Sequence, residues 1–313
     1  MYSFLHLLSL RMKPSTTRRD ILKTCLLAPL FPSFMETSLN PTMTGQGKHL
    51  KLSLNAYSFN DPLRSQAMSI EELIDFSAQV GFEGIDLTGY YFPGYPNVPT
   101  DEYIYKIKRK AHLSGLSISG TGIKNDFAQL DAAKRKKDIQ LVKDWILVAS
   151  KLGAPVIRVF SGVDIPKGYS WEAIATWMAK DIQECVDFGQ AHGVIVALQN
   201  HNDFIKNAQQ VKDLFQLVNR EWFGLVLDIG SYQQGDPFSQ IQDSIPLAVN
   251  WQLKEAMYVD GIAVKTDLSK VLKMILASNY RGFIPIETLG KGDPKQKVTE
   301  FLKEIKETLN NLS

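Results

Sequence analysis

The sequence predicts a (β/α)8 TIM barrel, and three observations carry that prediction. Eight short segments rich in β-branched residues recur between residues 51 and 287, each followed by a loop and an amphipathic helical pattern. Their starts lie 24 to 39 residues apart, and eight such units over about 260 residues match a closed barrel. No glycine-rich dinucleotide fingerprint follows any of them, which argues against a doubly wound sheet, the alternative for a β/α alternation.

In chain order the predicted strands are 51–57 (KLSLNAY), 84–88 (GIDLT), 116–121 (LSISGT) and 155–160 (PVIRVF), then 194–199 (VIVALQ), 224–228 (GLVLD), 248–254 (AVNWQLK) and 283–287 (FIPIE). Pro285 is a blemish in the eighth, because it removes one ladder donor. The intervening helical patterns are 69–80, 101–113, 131–152, 171–191, 208–218, 236–244, 267–277 and 294–309. Gly81, Gly115, Gly153 and Gly193 stand where helix-terminating glycines are expected.

Residues 1–49 read as an address ahead of the barrel at 50–313. Arg18-Arg19 precedes the short apolar run Cys25–Leu30 and a Pro/Ser/Thr/Gly stretch through Gly47, a pattern similar to bacterial twin-arginine leaders, with Ile21 where Phe is commoner. The expectation is a cleavable export signal and linker, and a periplasmic or otherwise exported protein; a frayed amphipathic tail is the alternative. Met12 is an alternative start, and Lys23-Thr24 before Cys25 fits no lipoprotein anchor. Cleavage near residues 36–48 leaves Cys185 as the one cysteine.

Composition excludes several classes. Apolar residues make up 44% and charged residues 22%, the balance of a globular protein. No run of 18 apolar residues exists, so no stable membrane span is expected. Two cysteines support neither a disulfide framework nor a cysteine zinc cage. The formal charge of +2 comes from the leader: beyond residue 49 the chain holds 29 basic and 31 acidic residues, no footprint for nucleic acid.

In such a barrel the chemistry sits at the C-terminal ends of the strands. The polar residues there are Asn55, Tyr57, Asp86, Thr88, Asn125, Asp126, Arg158, Gln199, His201, Asp228, Gln252, Lys254 and Glu287. Period-2 alternation turns Gln199 with His201, and Gln252 with Lys254, to a common side, and sends Trp251 to the helix layer. Asn55, Tyr57, Asp86, Asn125, Arg158 and Tyr90 are the candidate substrate contacts. Arg158 suits an anionic group, or an ion pair with Asp86 or Asp126. The run Tyr90-Tyr91-Phe92-Pro93-Gly94-Tyr95 offers a stacking wall for a sugar, or alternatively a lid or the subunit contact of a homo-oligomer. Of five histidines only His201 follows a strand, too few for a multi-zinc phosphodiesterase.

The segments Gly81-Phe82-Glu83-Gly84-Ile85-Asp86-Leu87, Ala197-Leu198-Gln199-Asn200-His201, Leu227-Asp228-Ile229-Gly230 and Ile286-Glu287-Thr288 resemble the xylose-isomerase-like barrel superfamily of sugar (phosphate) isomerases and epimerases. The resemblance spans roughly residues 50–310. It implies one divalent metal held by Glu, Asp, His and Glu from the last four strands, which here are Gln199, Asp228, Gln252 and Glu287. Two of the four depart, Gln199 from Glu and Gln252 from His. Amide oxygens still suit a hard cation, so Mn²⁺ or Mg²⁺ is expected ahead of Zn²⁺, in a site of charge −2 rather than −3. Gln199 cannot act as a base, which disables a two-base epimerisation and leaves Glu287 as base, with His201 and Lys254 as candidate proton donors. The resemblance thus implies an isomerase, epimerase or 3-keto-glycoside lyase acting on a small carbohydrate by metal-assisted proton abstraction beside a carbonyl. Export favours glycosides over sugar phosphates. The alternative is a non-catalytic sugar-binding barrel that has lost its metal.

Overall fold

A computed structural model describes residues 50–278 and 280–312; the expected signal and linker at 1–49 lie outside the described residues. Among the described residues ten strands are present: β1 Lys51–Asn55, β2 Gly84–Thr88, β3 Ser117–Gly122, β4 Val156–Val159, β5 Ile195–Gln199, β6 Phe223–Asp228, β7 Ala248–Lys254, β8 Ala256–Val259, β9 Ile262–Lys265 and β10 Phe283–Glu287. Eight of them close a parallel barrel in the order β1-β10-β7-β6-β5-β4-β3-β2, so each predicted strand is a barrel stave. The helices are α1 Asn60–Arg64, α2 Ile70–Val80, α3 Asp101–Leu113, α4 Ala132–Leu152, α5 Trp171–Ala191, α6 Ala208–Val218, α7 Pro237–Ser244, α8 Leu268–Ala277 and α9 Pro294–Leu312. Among the described residues none is long and apolar enough to cross a membrane.

Local chemistry sets the boundaries. Ser69, Asp131, Asp236 and Asp267 stand outside their helices as N-caps whose side chains accept backbone N–H groups, so those helices begin one residue later than the apolar pattern predicts. β1 stops at Asn55 because its side-chain oxygen accepts the N–H of Tyr57 and starts a 3-10 turn. Gly81 and Gly153 cap α2 and α4 in the left-handed conformation; Gly115 and Gly193 share that conformation one residue beyond the caps Ser114 and His192. The short α1 and the antiparallel β8–β9 hairpin were not expected. At the hairpin's turn Asp260 and Gly261 both have positive φ.

Pro285 leaves a visible mark. β10 pairs with β1 from Phe283 onward, yet its ladder with β7 begins only at Ile286, after the proline. The Tyr280 hydroxyl lies 3.2 and 2.8 Å from the carbonyl oxygens of Val249 and Phe283, donating to the two strands there. Two bulges matter for the site: Ile85 and Asp86 of β2 face Ile118 and Gly120, skipping Ser119, and Leu225 and Val226 of β6 face Ala248 and Asn250, skipping Val249. Most apolar side chains pack between strands and helices, Trp251 among them, while a small separate cluster of Val156, Ala197 and Val226 shares the strand faces of Arg158, Gln199 and Asp228 by the period of two.

Candidate active site

The strand ends open into a cavity of about 650 Å³. Of the residues expected from the sequence, Asn55, Tyr57, Tyr90, Asn125, Arg158, Gln199, His201, Gln252, Lys254 and Glu287 line it, together with Thr88. Asp86 and Asp228 do not; both are buried. Parallel register sets the central group, pairing Asp228 with Gln252 and Lys254 with Glu287 across adjacent staves.

At the centre an ammonium sits between two carboxylates. Lys254 Nζ lies 2.7 Å from Asp228 Oδ2 and 3.2 Å from Glu287 Oε1, with its side chain only 13% exposed. Gln199 Nε2 donates to Asp228 Oδ2 and to Gln252 Oε1, both at 2.8 Å, and the Gly230 N–H donates to Asp228 Oδ1. Asn200 clamps the backbone of Asp228, donating to its carbonyl and accepting its N–H. Gly230 is needed for space, because a Cβ there would come within 2.8 Å of the Lys254 stem. Burial pulls the Asp228 carboxyl upward, but the Lys254 ammonium and its hydrogen bonds outweigh that and hold it below the usual range. Burial wins at Glu287, whose pKa is raised although Lys254 opposes the shift. Burial pulls Lys254 down, yet the two carboxylates outweigh it and keep it charged, above the ordinary lysine value.

The expected metal ligands Gln199, Asp228, Gln252 and Glu287 therefore do come together, as a hydrogen-bonded cluster around an ammonium. A divalent cation among them would face the positive charge of Lys254 and the amide hydrogens of Gln199. Both Asp228 oxygens and Gln252 Oε1 already accept protein donors. Among the described residues no group of three or more His, Cys, Asp and Glu is arranged to hold a metal ion. This donor set does not fit a divalent metal.

A second wall is built on Arg158. The ion pair with Asp86 or Asp126 is not made. Instead the guanidinium donates to the Ile123 carbonyl at 2.6 Å and to the Tyr90 hydroxyl at 2.7 Å, and lies 4.1 Å from the Phe160 ring centroid. Gly122 leaves the room, since a Cβ there would meet the guanidinium at 2.8 Å. Asn125 is committed at both ends of its amide to the backbone of Phe160, so it shapes the wall while offering little to a ligand. Within the aromatic run, Tyr90 and Tyr95 line the cavity and pack edge to face, while Phe92 is core against Trp145.

Asp86 is corrected from substrate contact to interior group: Asn250 donates to it at 3.3 Å, and burial lifts its pKa to about 6, against the opposing pull of Arg158. The folded protein thus keeps a proton that the unfolded chain releases near pH 4, and stability should fall as pH rises from about 4 to about 6, by about 3 kcal/mol. In Asp86→Asn that slope should shrink by the share Asp86 contributes, leaving the smaller fall that the raised Glu287 carboxyl adds, which urea midpoints at pH 4, 5, 6 and 7 will show. Equal slopes in both proteins would place the titration elsewhere.

His201 lies at the mouth, 45% exposed, with Nδ1 2.6 Å from Asp203 Oδ2 and its ring against Phe160. Asp203 also lines the cavity. It escaped the sequence reading, although His201-Asn202-Asp203 places a carboxylate two residues from the histidine. Asn200 and Asn250 were missed as well; their roles lie in long-range partners.

Residues 74–308 match the sequence model of the family described as xylose isomerase-like TIM barrel. No curated protein matches the chain significantly. Among solved structures, D-psicose 3-epimerase with D-tagatose from Clostridium cellulolyticum H10 is similar at a TM-score of 0.66 and 15% identity, covering 83% of this chain and 99% of that one. The apo form of 3-keto-D-glucoside 4-epimerase from E. coli matches at 0.66 and 13%, covering 82% and 99%. A probable 3-DHS dehydratase from Bacillus anthracis matches at 0.63 and 18%, covering 84% and 100%. At these identities the likeness is one of fold.

Proposed function

The chain belongs to the xylose isomerase-like TIM barrel family, and from that premise we propose that it is an enzyme acting on a sugar or keto-sugar by proton transfer beside a carbonyl. The reaction is isomerisation, epimerisation or elimination from a 3-keto-glycoside, with elimination favoured. The observation that carries this reading is Glu287, a buried carboxylate facing the cavity beside a fixed ammonium. Gln199 offers no second base opposite it, and elimination needs only one base plus an acid for the leaving oxygen. His201, tied to Asp203 at the mouth, supplies that acid. The two neighbouring structures named as sugar epimerases support the substrate class.

Incubation with a 3-keto-glucoside in D₂O tests the reading: the proton beside the carbonyl should exchange, or the aglycone should be released. Tight binding of the keto-sugar with neither event would favour the second reading, a sugar-binding barrel without catalysis, for which the amides of Gln199 and Gln252 speak.

Export through the twin-arginine route is part of the proposal. Replacing Arg18 and Arg19 together by Lys should leave precursor in the cytoplasm, because an ammonium lacks the planar donor fork of a guanidinium. Fractionation that finds the double variant exported as before would remove this localisation.

A further inference from the structure

Resting on the carbonyl chemistry proposed above, we infer that the Lys254 ammonium replaces a divalent metal as the fixed positive charge of this site, so that the protein works without a bound metal. The two carboxylates that would share a cation, Asp228 and Glu287, instead share Nζ at 2.7 and 3.2 Å. The arrangement is built in: register places Lys254 beside Glu287, Gly230 clears space for its stem, and Gln199 turns its amide hydrogens toward Asp228 and Gln252. An ammonium carries three N–H donors. Two are directed at the carboxylates, and the third is left for the cavity that Lys254 lines.

The chemistry balances with these residues alone. Glu287 takes the proton from the carbon beside the carbonyl, and the C–H electron pair moves to make the enolate, whose oxygen accepts an N–H from Lys254. The electron pair then expels the glycosidic oxygen, which takes its proton from His201, or it returns to carbon with the proton that Glu287 holds, which in D₂O reads as exchange. A preorganised donor aimed at the developing oxyanion is the stabilisation such a reaction needs. Arg158, another cation lining the cavity, already donates to Ile123 and Tyr90.

The test is metal binding by the full chain, read without reference to activity. Titration of wild-type protein with Mn²⁺, followed by the electron paramagnetic resonance signal of the free ion, should show no saturable site tighter than about 1 mM. EDTA should leave keto-glucoside binding unchanged by calorimetry. Lys254→Gln, which restores two unpaired carboxylates, should bind Mn²⁺ at least about tenfold more tightly than wild type and lose the D₂O exchange. Stoichiometric metal at micromolar affinity in wild type overturns the inference, as does a Lys254→Gln variant, folded by circular dichroism, that exchanges at the wild-type rate. The wild-type titration decides the matter even if that variant does not fold. Absence of both metal and exchange in wild type refutes the carbonyl chemistry and leaves the replacement of metal by ammonium standing, so the two failures are distinguishable.

Discussion

Glu287→Gln should lower the rate of proton exchange from a 3-keto-glycoside by about 10²- to 10⁴-fold, the usual contribution of a positioned general base. The substitution keeps the shape and removes only the basic oxygen. No neighbour can take over. Asp228 is buried with both oxygens accepting donors, Asp203 is tied to His201, and residue 199 is an amide. The loss should fall on kcat, with KM little changed, because the amide still fills the carboxylate's place at the cavity wall. The acid limb of the wild-type profile carries a second signature. Burial raises the Glu287 pKa above the ordinary glutamate value, so activity should climb with pH over a range higher than a free carboxylate would give. A Glu287→Gln protein that is folded and turns over at the wild-type rate would remove Glu287 as the base, and with it the mechanism.

Much of this architecture was legible because it rests on local chemistry. Strand-like segments separated by capped amphipathic helices identify all eight staves, and the polar residues at their ends are largely those that line the cavity. What escaped depends on pairings remote in sequence. Asp86 looked like a substrate contact, but its partner Asn250 lies 164 residues away, brought opposite by bulges at Ser119 and Val249 that no periodicity reveals. Arg158 looked ready for a carboxylate, yet it folds back onto a carbonyl and a tyrosine hydroxyl. The β8–β9 hairpin carried a readable signal, the Asp260-Gly261 pair, but its strands are four residues each and stand outside the barrel's repeat. Above all, Lys254 reads from the sequence as a proton donor beside a metal site. Its place between Asp228 and Glu287 follows from the β7–β10 register and from the missing side chain at Gly230, neither visible one residue at a time.

Asp228→Ala should cost the protein about 3–5 kcal/mol of stability, the range for breaking a buried ion pair by removing one partner. Three donors lose their acceptor at once: the Lys254 ammonium at 2.7 Å, the Gln199 amide at 2.8 Å and the Gly230 N–H at 2.9 Å. Glu287 still faces Lys254, so the ammonium is not left wholly uncompensated, and the fold should survive in weakened form. The pH dependence separates this effect from a simple cavity. In wild type the Asp228 pKa is held below its ordinary value, so its contribution is full above about pH 4 and fades as pH falls further. That sense is opposite to Asp86, whose cost appears as pH rises. Urea unfolding of wild type and Asp228→Ala should therefore diverge most at neutral pH and converge below about pH 4. A uniform gap at every pH would mean that packing, and not the charge cluster, accounts for the loss. A gap under about 1 kcal/mol at neutral pH, the size of an exposed ion pair, would mean that Asp228 does not anchor Lys254 at all.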